Sequence, residues 1–292
     1  MLGSVANRRL FEPRSLRDAL RMLDAEGPLV PMAGCTDLYV ALNFGTLDGT
    51  KFLNLWELDE LRRIAVRGDV LSIGALCTYT AIIKSRVVQT RVPMLTAASR
   101  QIGGVQIQNR GTIGGNIAHA DPASDLPTVL VALDARVTAI GPKGTRTIPA
   151  EDFFTGIMST ALAEDEVVSE IVVTASARGQ GSAYVKFAHP ASRYAVIGAA
   201  ALVTMEKDQC RGARIAVGGL LPHATRAKAV ETALVGKPGT ATAIEAAAAR
   251  LQTDLGDQVS GDLYASAEYR SAVAPVYVKR AVAAAAARAG LA

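Results

Sequence analysis

The sequence predicts an α+β fold, on three observations. Short apolar runs alternate with helical repeats through the first half of the chain. A glycine- and proline-rich stretch, residues 108–127, then interrupts them. The last third reads as strands in series followed by helices in series, the order of an α+β unit and not of a doubly wound sheet. Taken in order, residues 15–26 place Leu16, Leu20 and Leu23 at helical spacing with Ala19 and Met22 beside them; Ser15 is set to cap that helix and Gly27 to end it. Residues 29–33 read as a short buried strand, Gly34-Cys35-Thr36-Asp37 as a turn, and 38–44 as a helix. A strand is expected at 51–55, a hairpin over 63–74 around Gly68-Asp69, and helices at 79–89 and 94–101, the second introduced by Pro93. Residues 126–133 are apolar and compact, 136–148 form a hairpin turning at 141–144, and the β-branched run 167–174 is a strand. Residues 176–182 have linker composition. Beyond them three antiparallel strands, 183–189, 194–206 and 211–217, precede helices at 226–234, 241–251 and 265–289.

At 292 residues the chain can build two or three units with their own cores. Half the residues are hydrophobic but only 5% aromatic, so those cores must be Ala, Val, Leu and Ile. The formal charge of +4, from 31 basic and 27 acidic residues, is spread without a basic block, which argues against a nucleic-acid partner. Cys35, Cys77 and Cys210 lie far apart with no CxxC spacing, so they form neither a four-thiolate metal site nor a disulfide scaffold. The first eleven residues lack the apolar segment of a signal peptide, and the alanine-rich tail 281–292 is too short to span a bilayer. The expectation is a soluble cytoplasmic protein, free or held peripherally at the inner membrane face.

The stretch 108–127, QNRGTIGGNIAHADPASDLP, carries most of the chemical information. Gly111, Gly114 and Gly115 remove side chains where a ligand could approach, and glycine reaches positive φ, so amides can converge on an anion. Thr112 and Asn116 add short polar groups. The plainer reading of any such glycine pair is a tight surface loop. GxxxxGK[ST], a strand-linked GxGxxG and GxSxG are all missing, which argues against P-loop, Rossmann and α/β-hydrolase readings. His119, Asp121 and Asp125 have the composition of a hydrolytic metal site, but Pro122, Pro127 and the neighbouring glycines fit loop shaping better. If the turn at 33–38 faces the one at 111–116, the two could hold a diphosphate through main-chain amides, which suits FAD or another dinucleotide.

At these residues the sequence resembles a known family. Ala33-Gly34-Cys35-Thr36-Asp37-Leu38 is similar to the AGGTDL-type turn of the FAD-binding medium subunits of molybdenum hydroxylases, the xanthine dehydrogenase and aerobic carbon monoxide dehydrogenase family. Thr112-Ile113-Gly114-Gly115-Asn116 with Pro122-Ala123-Ser124-Asp125 resembles their TIGGN…PASD segment. Supporting matches run through 150–156, Tyr184-Val185-Lys186, Arg193-Tyr194-Ala195, Arg226-Ala227 and 266–270. The resemblance implies two N-terminal α/β FAD-binding subdomains of the vanillyl-alcohol-oxidase-like (PCMH) type, at 1–58 and 59–177. A C-terminal domain at 178–292, a three-stranded antiparallel sheet with helices, would cover the flavin.

The resemblance also implies residue roles. Pro31, Met32, Ala33, Gly34, Cys35, Thr36, Asp37 and Leu38, with Thr112, Ile113, Gly114, Gly115 and Asn116, would bind the FAD diphosphate and ribityl chain. Asp125 would accept hydrogen bonds from a sugar or loop amide. Ile102, Val167 and Val168 would pack near the flavin or adenine rings, Tyr194 would stack near them, and Lys186 would set a cation at the pyrimidine edge of the isoalloxazine. Partners follow: a large subunit with a molybdopterin cofactor and a small one with [2Fe–2S] clusters, as a heterotrimer or a dimer of heterotrimers. The chain itself would be a flavin-dependent electron-transfer subunit. Two departures stand out, Cys35 in a usual glycine position and the segment 219–225. The competing readings are a metal-dependent hydrolase using His119, Asp121 and Asp125, and an assembly subunit without chemistry.

Overall fold

In a computed structural model, residues 7–47 and 49–290 are described; residues 1–6, position 48 and the last two residues of the alanine-rich tail lie outside them. Three larger sheets are laid down in sequence order, with a two-stranded ribbon, Phe154–Gly156 and Ser159–Thr160, beside them. The first is parallel, with Lys51–Asn54 between Arg9–Phe11 and Val30–Met32. Parallel strands need crossovers: helix Leu16–Glu26 joins the two outer strands, with Ser15 Oγ accepting from the Asp18 N–H and Ala19 and Leu23 buried beneath, and helix Leu38–Phe44 joins Val30–Met32 to its neighbour Lys51–Asn54. Strand Arg9–Phe11 is too short to leave a periodic signal in the sequence.

The second sheet is antiparallel, in the order Ile64–Arg67, Val70–Gly74, Val167–Thr174, Arg136–Gly141, Gly144–Pro149. Its central strand Val167–Thr174 arrives last in the chain; it is β-branched except at Ser169 and Glu170, as suits a strand paired on both sides, and carries a bulge between Val168 and Glu170. Helices cover one face. The segment expected to be one helix over 79–89 is two, Tyr79–Lys84 and Arg86–Arg91, because Ser85 ends the first and its Oγ caps the second.

The glycine-rich stretch is more ordered than expected. It holds three short helices, Val105–Arg110, Ile113–His119 and Asp125–Ala132, the last buried at every position. Periodicity misses them because each is under nine residues and the third is buried on every face.

The third sheet runs Gln180–Ala188, Ala195–Glu206, Gln209–Gly218 and Thr225–Arg226, so the expected three antiparallel strands gain a two-residue fourth. That fourth strand settles the divergent segment 219–225. Gly219 turns at φ 76°, its N–H bonds Pro122 O at 2.8 Å, and the chain re-enters the sheet at Thr225. The stretch with linker composition ends early, since Gln180 to Ser182 already pair with Thr204 to Leu202.

Helix Ala267–Ala289 lies across this sheet. Its alanines permit close approach, and Gly181 is required there: a Cβ on it would stand 2.0 Å from Ala285 O. None of the described helices is long and apolar enough to cross a membrane.

Candidate functional site

Two turns meet where the first and second sheets adjoin. The turn after strand Val30–Met32 leads into helix Leu38–Phe44, and Thr112 caps helix Ile113–His119 by accepting the Gly115 N–H at Oγ1, 3.1 Å away. They are in contact: a Cβ on Gly34 would lie 1.8 Å from Arg110 O, and one on Gly115 would lie 4.0 Å from the Ala33 Cβ.

The two turns nevertheless do different work from that expected. None of Gly111, Gly114 and Gly115 has positive φ. They are glycine because neighbours are close: Cβ atoms on Gly111 and Gly114 would lie 2.4 Å from the Tyr79 ring and 2.6 Å from the Ala75 Cβ. Their amides are also committed, Gly111 N to Ile107 O, Gly114 N to Ala75 O and Gly115 N to Thr112 Oγ1, as are Ile113 N to Cys77 O and Asn116 N to Thr112 O. What this turn leaves open is Asn116 Oδ1, buried without a hydrogen-bond partner among the described residues.

The free amides belong to the first turn. Among the described residues, nothing accepts from the N–H of Gly34, Cys35, Thr36 or Asp37. Cys35 stands at φ 61°, so the turn passes through the left-handed region that lets successive amides converge. Its thiol bonds Ala33 O at 3.4 Å, and burial pushes its pKa up against the opposing charge of Arg110.

These turns form the waist of a two-lobed cleft. One lobe, about 350 Å³, is walled by Pro31, Leu55, Leu76, Val167 and Val168. The other, about 480 Å³, is walled by Phe44, Ile102, Ile107, Asp125 and Tyr194. Thr36, Asp37, Tyr79, Asn116 and His119 line both. Met32, Ile113 and Lys186, named from the resemblance, are not among the lining residues; Ile113 is fully buried in the core. Tyr79 has no sequence pattern to mark it, since one tyrosine at a helix start reads as core. Tyr194 crosses the waist from the third sheet and donates to Asp37 Oδ1 at 2.8 Å; burial, then the Asp37 carboxylate, raises its phenol pKa.

Lys186 departs from its expected role. Its side chain is 2% exposed and its Nζ lies 2.8 Å from Asp125 Oδ2, so it offers the cleft no unmatched cation. Asp125 lines the second lobe and also accepts from Tyr184. Asp121 shapes its own turn by accepting the Ala123 N–H at 2.8 Å, and His119 Nε2 is 4.0 Å from Asp37. With Asp125 paired to Lys186 and Asp121 to a main-chain amide, no group of three metal-ligating side chains gathers among the described residues. The hydrolase reading of His119, Asp121 and Asp125 is therefore not supported.

The profile of the family described as "FAD binding domain in molybdopterin dehydrogenase" matches residues 6–175. That of "CO dehydrogenase flavoprotein C-terminal domain" matches residues 182–285. This chain belongs to the FAD-binding medium subunits of the molybdenum hydroxylases. It is 35% identical to the carbon monoxide dehydrogenase medium chain of Hydrogenophaga pseudoflava, covering 94% of this chain and 96% of that one. It is 31% identical to the nicotine 6-hydroxylase medium subunit of Paenarthrobacter nicotinovorans, over 96% and 98%. A solved structure of the Hydrogenophaga pseudoflava carbon monoxide dehydrogenase superposes with a TM-score of 0.92 at 36% identity, over 97% of this chain and 98% of that one. The protein is thus a flavin-binding oxidoreductase subunit.

The residues present in this medium subunit fit FAD on their own geometry. Four unbonded amides and an orphaned carboxamide oxygen at the waist suit a diphosphate and a hydroxylated chain. Two largely apolar lobes on either side suit two ring systems.

Proposed function

We propose that this chain is the flavin module of a heteromeric hydroxylase, standing between [2Fe–2S] clusters on a small subunit and an external electron acceptor. The large subunit would carry the molybdopterin cofactor, and relatives named for carbon monoxide and for nicotine would differ there, not here. Bound FAD supplies a group that takes electrons singly and releases them singly or in pairs. The chain's own residues position it. The N–H groups of Gly34 to Asp37 hold the diphosphate, with Asn116 Oδ1 accepting from a ribityl hydroxyl. Val167 and Val168 sandwich the adenine in the first lobe, and Ile102, Asp125 and Tyr194 bound the isoalloxazine in the second. Met32 and Ile113 act behind these walls as support. We retain 1–58, 59–177 and 178–292 as the three units, a heterotrimer or dimer of heterotrimers as the assembly, and the cytoplasm as its location.

One observation carries the reading: unbonded main-chain amides at the waist of a cleft with two apolar lobes. Gly115→Val tests it. The added side chain would enter the waist beside Thr112 Oγ1 and Ala33 Cβ, 2.9 and 4.0 Å from the new Cβ. Flavin content of the purified complex should fall at least about tenfold with unchanged far-ultraviolet circular dichroism. A variant with full flavin content removes the diphosphate assignment.

A further inference from the structure

Behind the second lobe lies a buried triad of which the flavin reading uses only Asp125, the member that lines the lobe. Asp125 opens helix Asp125–Ala132, and its two carboxylate oxygens are both taken from one strand. Lys186 Nζ donates to Oδ2 at 2.8 Å and Tyr184 Oη donates to Oδ1 at 2.5 Å. Residues 184 and 186 reach the same carboxylate because they share a face of strand Gln180–Ala188. The third sheet makes room for the phenol: Gly198, which pairs with Lys186 on the neighbouring strand, is where a Cβ would lie 2.8 Å from Tyr184 Oη. Lys186 and Asp125 side chains are 2% and 5% exposed, so the pair is shielded from water on all sides except the lobe that Asp125 lines.

We infer that Tyr184 is a positioning residue for the flavin: its hydroxyl fixes the Asp125 carboxylate so that Asp125 and Lys186 present a neutral pair beside the ring system. The inference rests on the flavin reading and deepens it. Burial pushes the Asp125 pKa up while Lys186 and then Tyr184 oppose the rise. The other charged and titratable groups facing it are Arg193 on the loop before strand Ala195–Glu206 and Tyr79 on helix Tyr79–Lys84. Without the phenol O–H, Oδ1 is a buried acceptor lacking its donor, and the carboxylate takes a proton from solvent more readily. Lys186 then stands unmatched. A net positive charge beside the ring favours the reduced flavin, which carries more negative charge than the oxidised one.

The test uses the assembled complex and reads the midpoint potential of its flavin by spectroelectrochemistry, with flavin content read separately from visible absorption. Tyr184→Phe keeps the ring and removes one hydrogen bond. It should retain flavin and bind the reduced form at least about tenfold more favourably relative to the oxidised form, a rise of about 30 mV for a two-electron couple. Asp125→Asn should raise the potential further, and Lys186→Gln should lower it. Where Tyr184→Phe does not assemble, Gly198→Ala replaces it, since its methyl group displaces the phenol and the same rise is expected. A full flavin complement at the parent potential, in whichever of these two variants assembles, overturns the role of Tyr184. A parent complex without flavin absorption would instead overturn the reading on which it rests.

Discussion

Cys35 sits at φ 61°, in the position of the second glycine of the AGGTDL-type turn that this segment resembles. A Cβ in the left-handed region costs roughly 1–2 kcal/mol, and glycine returns part of that gain as unfolded-chain entropy, roughly 0.4–1 kcal/mol. Cys35→Gly should therefore stabilise the subunit by about 0.5–1 kcal/mol, seen as a rise of about 1–3 °C in its thermal midpoint. Cys35→Ala should give no rise, because it keeps the Cβ; equal midpoints for the two variants would show that the turn is unstrained. At this scale the site was half legible. The two motifs exposed 33–38 and 112–116, but only geometry distinguishes free amides in one turn from committed amides in the other. Tyr184 was within reach of sequence reasoning, since it lies two strand positions from Lys186 on the same face. Tyr79 was not, because nothing about a single tyrosine after Thr78 separates a cleft wall from core.

Between elements, one ion pair ties the first lobe to the edge of the second sheet. Arg146 on strand Gly144–Pro149 holds Glu166 with two hydrogen bonds of 2.7 Å, one residue before Val167. Those bonds, together with the Ala163 N–H and the nearby Lys143 charge, outweigh desolvation and depress the Glu166 pKa. A depressed carboxylate contributes stability that is complete above its unfolded value, about 4.3, and is lost as pH falls through the lower folded value. Glu166→Gln should thus leave the midpoint of unfolding less dependent on pH in the range below about 5. An acid limb identical to the parent's would mean that the pair contributes nothing to folding. Element type was legible wherever the hydrophobic period ran long, as in Leu16–Glu26 and Ala267–Ala289. It was obscured in 108–127, where short helices are stabilised by Ala75, Cys77 and Tyr79 from elsewhere in the chain and not by their own pattern.

Across the whole molecule, the cleft draws on the three larger sheets: Pro31 from the first, Val167 and Val168 from the second, and Tyr194 from the entry to the third. The third sheet is also held by main-chain bonds from Ala195 N to Ala123 O and from Gly219 N to Pro122 O. No local sequence pattern shows how the sheets close on the cleft, because that closure depends on such pairings between residues far apart in the chain. A ligand filling both lobes stabilises the closed arrangement by mass action, about 2.7 kcal/mol at a hundredfold excess over its dissociation constant. A ligand filling only the first lobe and waist leaves the contacts of the third sheet as they were. Stripping the flavin from the assembled complex should therefore loosen the 189–194 loop, where Arg193 is an exposed trypsin site. Added FAD should slow cleavage at Arg193 in a concentration-dependent manner. Saturating ADP, which matches the adenosine half alone, should protect the 33–38 turn from hydrogen exchange yet leave cleavage at Arg193 as fast as in the stripped complex. If ADP protects Arg193 as fully as FAD, the isoalloxazine does not occupy the lobe bounded by Ile102, Asp125 and Tyr194, and the two halves of the cofactor must be placed the other way round.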